Sequence, residues 1–232
     1  MARRRPSIGI EPLVATVATR APGAADRASG EAEHTGDLTE RVLAAAAELL
    51  AGSGLHGWSM DDVADRARVG RTSLYRKFAG RDELVYAVLA REVHAVFADV
   101  TAAAAHHDSL EDKVVEGALV ALDAVAGSLV ARLIATDPTT FLPFLTTEAG
   151  PLLALGRQLL VDQATLLGAD LDQAHAAELA ELAARLGLSF ILTRDTVFPT
   201  ADTEAARRTL HRVLGPILAP LAAPRLAATG SR

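Results

Sequence analysis

Between Arg66 and Arg81 the chain carries Arg66, Arg68, Arg71, Arg76, Lys77 and Arg81, and no Asp or Glu stands among them. Cations without neighbouring acids suit the phosphates of a nucleic-acid backbone, because each contact replaces condensed counterions with a fixed positive charge. The rest of the chain has the opposite sign. From Glu92 to Arg232 there are 10 basic and 17 acidic residues, and the chain as a whole stands at −6. A short basic island on an acidic body confines nucleic-acid contact to the island.

A second run that could do chemistry is His106-His107-Asp108. Adjacent residues on a helix do not share a face, and no further His or carboxylate completes a ligand set, so the run is read as a charge partner for a helix C-terminus. Neither a metal nor another cofactor is expected. His94, one residue from an apolar stripe, is read as a partly buried histidine. No nucleophile elbow, phosphate-cradling glycine loop or acid/base pair is present, which leaves an all-helical enzyme as an alternative with no motif behind it.

The elements that must position the island follow from periodicity and caps. Asp37-Leu38-Thr39-Glu40 is a capping box that predicts a helix from Asp37 to about Ala51, with Val42, Ala46, Leu49 and Leu50 on its buried face and Gly52-Ser53-Gly54 ending it. Ser59 and Asp62 form a second box, and Met60, Val63, Ala64 and Ala67 follow at i, i+3, i+4, i+7. Gly70 serves as turn or N-cap, and Leu74 and Phe78 repeat at i, i+4 in a helix from Arg71 to Phe78. Arg81-Asp82-Glu83 opens a long helix to about His106 whose stripe is Val85, Leu89, Val93, Val96 and Val100.

Two short helices joined by a tight turn and backed by a third form the arrangement that sets a helix in the major groove. On a wheel of the third helix, Thr72, Ser73 and Arg76 lie opposite Leu74 and Phe78. Arg76 is suited to a bidentate guanine contact, and Thr72 and Ser73 to close approach at base edges. Arg71, Tyr75, Lys77 and Arg81 complete the expected DNA-contacting set, with Tyr75, Lys77 and Arg81 at phosphates.

Length and composition agree with an all-α fold. The 232 residues are 50% hydrophobic, rich in Ala and Leu, and include no Cys, so disulfides and thiolate metal sites are excluded. Residues 1 to 36 read as a tail. Met1-Ala2-Arg3-Arg4-Arg5 is followed by Glu11 and Pro12 rather than an apolar region, so an export signal is not expected and the cytoplasm is. Later apolar stretches are interrupted by charges or Pro before about 20 residues, so no membrane partner is expected. Helices are expected from Ser109 to about Thr136, from Gly150 to Leu167, from Leu171 to Thr193 and from Thr203 to Leu218, the last stopping near Gly215-Pro216. Phe141-Leu142-Pro143-Phe144 reads as a connection, and residues 222 to 232 as a second tail.

The run Val63-Ala64-Asp65-Arg66-Ala67-Arg68-Val69-Gly70-Arg71-Thr72-Ser73-Leu74-Tyr75-Arg76-Lys77-Phe78, with Arg81-Asp82-Glu83-Leu84 behind it, resembles the DNA-binding domain of TetR-family regulators. Leu74, Tyr75 and Phe78 match that family's Leu-Tyr-x-x-Phe core. Arg68 departs from the pattern where a turn glycine is common, and Gly70 where a Ser or Thr cap is common. The stretch from Ala184 to Phe190 and on to Pro199 is similar to actinobacterial regulators of quorum-sensing-lactone degradation.

The resemblance implies a homodimer on operator DNA, an inducer cavity in the carboxy-terminal helices and a dimer interface on the last two long helices. The expected division is 37–84 for DNA binding and 85–221 for ligand binding and dimerisation. Phe97, Phe141 and Phe144 are the apolar candidates for a cavity, with Arg132, Thr140, Gln158 and Asp162 as its polar groups. Leu186, Leu188, Phe190, Ile191, Leu210, Val213, Leu214 and Ile217 are assigned to the dimer interface. A repressor released by a small apolar ligand is the function expected. A regulator of the same fold controlled by a protein partner, or by no effector, is its alternative.

Overall fold

The computed structural model describes residues 12, 15–16, 29–169, 172–193 and 195–222. Among them the elements are all helical: α1 (Ser29–Ser53), α2 (Met60–Ala67), α3 (Arg71–Lys77), α4 (Arg81–Ala104), α5 (Leu110–Gly127), α6 (Leu129–Thr136), α7 (Pro138–Leu145), α8 (Gly150–Leu166), α9 (Gln173–Leu192) and α10 (Thr203–Ala222). By its internal contacts the chain divides into two compact units, Met1–Ala95 with Ala126–Leu155, and Val96–Val125 with Gly156–Arg232. This division falls inside α4 rather than ahead of it.

In the first unit α1 packs on α2 and α6, α2 on α3, and α6 on α7. The shared core is built from Val42, Leu43, Leu50, Leu74, Leu84 and Leu133, with their neighbours. The turn after α1 needs Gly54, which sits at φ 68, a conformation that costs a side chain with Cβ but not glycine. Its carbonyl accepts from Trp58 Nε1–H at 3.0 Å, which folds the 54–58 loop over the core.

In the second unit the helices are joined by polar bonds as much as by apolar contact. Gln163 of α8 donates through Nε2 to the carbonyl of Phe97 (3.1 Å), and its Oε1 accepts from Thr101 of α4 (2.8 Å). Arg207 of α10 grips Glu116 of α5 through Nε at 2.6 Å and Nη2 at 3.0 Å, and also pairs with Glu204. This guanidinium holds the Glu116 carboxyl below the usual carboxylate range, against the opposing effect of burial, and the Glu116 side chain in turn pushes Arg207 further up. His211 reaches Glu111 at 2.8 Å.

Several sequence expectations are corrected. The first helix begins at Ser29, not Asp37, and Asp37 pairs with Arg41 along the helix instead of capping it. Most of the expected tail before Ser29 lies outside the described residues, as does 223–232. The helix expected from Ser109 to Thr136 is two helices, because Ser128 leaves the helical path and its side chain accepts from the Ala131 N–H. The expected connection at Phe141–Phe144 is helical, opened by Pro138 at its first turn and an Asp137 cap, an arrangement in which proline loses no hydrogen bond. Helix α10 runs through Gly215-Pro216 to Ala222. The segment Leu110–Thr136 has the composition of a membrane span. Its α5 part is instead tied through Glu111 and Glu116 to His211 and Arg207.

Candidate nucleic-acid interface

Helices α2 and α3 are set by their ends. Ser59 and Asp62 form the expected reciprocal box: the Ser59 N–H donates to Asp62 Oδ2 at 2.8 Å, and the Asp62 N–H donates to Ser59 Oγ at 3.3 Å. The Ser59 hydroxyl and amide hold the Asp62 carboxyl below its ordinary range. The other end of α2 closes on Arg68 at φ 57, ψ 47, the left-handed conformation for which glycine is suited. Arg68 adopts it because its N–H bonds back to Ala64 and Asp65 and finishes the turn. Gly70 then caps α3 without a side-chain bond, since it has none to offer.

Leu74 is fully buried and Phe78 nearly so, which fixes the rotation of α3. Arg71, Thr72, Tyr75, Arg76 and Lys77 are therefore exposed, with Ser73 half-buried beside them. Tyr75 is 51% exposed, so its side chain is on the surface rather than in the core. The expected polar face is brought together as a face of one short helix.

The cations of the island are unequal. Arg66 is paired with Glu48 at 2.7 Å and Arg71 with Asp61 at 3.1 Å. Arg81 lies 5.4 Å from the Trp58 ring centroid, with Nη2 2.9 Å from His56 Nδ1. Arginine has no acceptor, so His56 accepts at Nδ1 and carries its ring proton on Nε2. Arg81 is thus docked on Trp58 and His56 at the start of α4, without an acidic partner among the described residues. Arg76 and Lys77 have no ion-pair partner among the described residues. His56, Trp58 and Asp61 escaped the sequence reading because their partners lie 10 to 25 positions away, beyond any local spacing rule.

The candidate ligand residues do not share one unit. Arg132, Thr140, Phe141 and Phe144 belong to the first, and Phe97, Gln158 and Asp162 to the second. Thr140 is tied to the Asp137 cap, Phe141 packs against the core around Leu74, and Arg132 is exposed. Gln158 and Asp162 are exposed and bond to each other at 2.9 Å. The buried polar side chain described in the second unit is instead Gln163, at 7% exposure and bonded to half-buried Thr101; it directly follows Asp162 and has no sequence signature of burial. A groove of about 640 Å³ beside α2, lined by Leu49, Trp58, Asp62, Asp65, Arg66 and Arg68 among others, includes none of the seven.

Of the expected interface residues, Leu186, Val213 and Ile217 are exposed, while Leu188, Phe190, Ile191 and Leu214 are half-buried. Phe190 stacks edge-on with Phe198 at 5.9 Å. Leu210 is turned inward, at 8% exposure. The His106 ring bonds to the Ala102 carbonyl at 2.8 Å, the helix-end partnership expected of it. No group of three or more metal-binding side chains occurs among the described residues.

Comparison with known proteins agrees with this geometry. The family of bacterial regulatory proteins named tetR matches residues 42–88, and the tetracyclin repressor carboxy-terminal domain matches 109–216, together about two thirds of the chain. The transcriptional activator FasR of Mycolicibacterium smegmatis is 43% identical over 53 residues, a stretch that spans 23% of this chain and 24% of FasR. Among solved structures, the TetR-family repressor AlkX from a Dietzia strain superposes with a TM-score of 0.61 at 24% identity, over 79% of this chain and 98% of its own. A TetR-family regulator from Rhodococcus gives 0.51 at 24% identity, over 81% and 100%. A helix-turn-helix with an exposed basic face, followed by a helical body that matches the same family, makes this chain a member of the TetR family of DNA-binding transcriptional regulators.

Proposed function

We propose that this regulator is a homodimeric repressor, released from operator DNA by a small, largely apolar ligand held in the helical body. In this reading Arg76, Thr72 and Ser73 read base edges, and Arg71, Tyr75 and Lys77 contact the backbone. The observation that carries the reading is the course of α4. It opens at Arg81, directly after the recognition helix, contributes residues up to Ala95 to the DNA-binding unit, and continues unbroken as Val96–Ala104 in the other. A ligand that moves the distal part of this helix moves the platform of the recognition helix. Shifting a 1:99 equilibrium to 99:1 takes ~5.5 kcal/mol of differential binding, which favours a ligand with much apolar surface to bury.

The dimer is supported by two exposed apolar pairs at i, i+4 spacing, Leu182 with Leu186 on α9 and Val213 with Ile217 on α10, all at least half exposed in the single chain. A dimer carries two recognition helices, as a two-fold operator with half-sites ~34 Å apart requires.

The test titrates apolar metabolites into the full chain bound to a duplex selected from random-sequence DNA, and compares wild type with Phe97→Ala. Ligand-dependent release that Phe97→Ala weakens, with ligand-free affinity unchanged, is the expected result. No release by any compound would sink the ligand-controlled reading. The name of FasR supports a second reading, activation, which a reporter carrying the selected site would distinguish by the sign of its response.

A further inference from the structure

Two adjacent acids open α2, and they do different things. Asp62 is committed to the Ser59 amide and hydroxyl at 2.8 and 2.7 Å. Asp61 reaches across the turn, and its Oδ2 lies 3.1 Å from Nη1 of Arg71, the first residue of the recognition helix. An ion pair this exposed adds little to folding stability. Its place is what matters: it sets one negative charge, and one cation already engaged, at the edge of the DNA-reading face, while Arg76 and Lys77 stay without an ion partner among the described residues.

We propose that Asp61 is a specificity-determining residue of the DNA interface, which acts by holding Arg71. A paired arginine gains less from generic phosphate attraction, because part of its charge is already neutralised and it releases fewer counterions on binding. Held in one orientation, it also loses less side-chain freedom when it meets a correctly placed backbone oxygen. Both effects act in one direction. They depress binding to arbitrary DNA more than binding to the operator, so discrimination rises without any base contact by Asp61 itself. This inference rests on the reading that Arg71 touches DNA.

The test measures salt-dependent binding of the full-length protein to two duplexes of equal length, one selected from random-sequence DNA by the wild type and one of random sequence. Asp61→Asn keeps the size and removes the charge, and its thermal melt should overlay the wild type. The expected result is a gain of about 3–10-fold on random DNA at low salt, a salt slope steeper by about 1, and a change under about 3-fold on the selected duplex. In an Arg71→Ala background, Asp61→Asn should have no such effect. If the gain persists without Arg71, Asp61 acts by plain repulsion of phosphates, and the proposal is overturned. An unchanged slope in Asp61→Asn overturns it as well. Should Arg71→Ala alone leave both duplexes bound as before, the underlying reading of Arg71 fails, and that result is distinguishable from failure of the Asp61 inference.

Discussion

The two units of this protein bury different things. The DNA-binding unit hides Leu43, Leu50, Leu55, Leu74, Leu84 and Leu133 almost completely. In the other unit the buried apolar residues described are four alanines with Val115, Leu210 and Leu218, while Leu182, Leu186, Val213 and Ile217 are exposed. A fully buried leucine is worth ~1.5–3 kcal/mol over an exposed one, so the first unit is held by its own core. The second is organised by ion pairs such as Arg207–Glu116 and leaves apolar surface for something else to cover. The difference teaches what each unit can rely on: the first fixes its reading face with its own core, and the second leaves apolar side chains on its surface.

The largest expected effect comes from removing the cover. Leu186→Glu combined with Ile217→Glu should raise the dissociation constant for self-association by about 100-fold or more, from the loss of two apolar anchors at ~1.5–3 kcal/mol each. Sedimentation checks this, and binding to an isolated half-site should survive, because the reading face is untouched. A wild type that sediments as a monomer at DNA-binding concentrations would collapse the contrast between the units.

Within the reading face, Arg76→Ala is expected to cost about 1–3 kcal/mol on a selected duplex and to relax the preference at one base position. Lys77→Ala should weaken selected and random duplexes alike and reduce the salt slope by about 1. Equal losses for both variants on both duplexes would remove the distinction between base reading and backbone contact.

A smaller, pH-dependent effect belongs to the second unit. The Arg207 guanidinium depresses the Glu116 pKa in the folded state below its ordinary value of 4.5. The ionised carboxylate therefore contributes stability that is fully present above pH 4.5 and is lost as the pH falls through the lower, folded value. Melting curves of Glu116→Gln should lie below the wild type near pH 7 and converge with it as the pH falls below the lowered, folded value. A gap that persists in acid would mean the pair contributes by packing and not by charge.

The smallest effect sharpens the account of the turn. Arg68 occupies the left-handed region at φ 57, so Arg68→Gly should stabilise the protein by about 0.5–1 kcal/mol, read as a raised melting temperature. Gly70→Ala should not show this gain: Gly70 is the N-cap of α3, where Ala is disfavoured relative to Gly, and this offsets the entropy the substitution removes from the unfolded chain.

The helix-turn-helix was legible because its signals are local. The Ser59–Asp62 box, the i, i+3, i+4, i+7 pattern after Met60, and the pairing of Leu74 with Phe78 each lie within two turns of chain. The body was less legible for the converse reason. Alanine-rich helices are apolar on every side, so periodicity could place them but could not say where one ends. Ser128 therefore broke a helix that looked continuous, and Pro138 opened one that looked like a connection. The ligand candidates show the same weakness. Gln158, Asp162 and Gln163 are equivalent by type, and only the fold made Gln163 the buried one.

By itself, then, the sequence determined the helical class, the family and the exposed face of α3, since composition, caps and helical period act over neighbours in the chain. Tertiary structure alone decided which cations of the island are engaged and which are not. Asp61 and Arg71, His56 and Arg81, and Arg66 and Glu48 lie 10, 25 and 18 positions apart. No short-range pattern can bring them together; they meet because a buried core of leucine and valine fixes the helices that carry them.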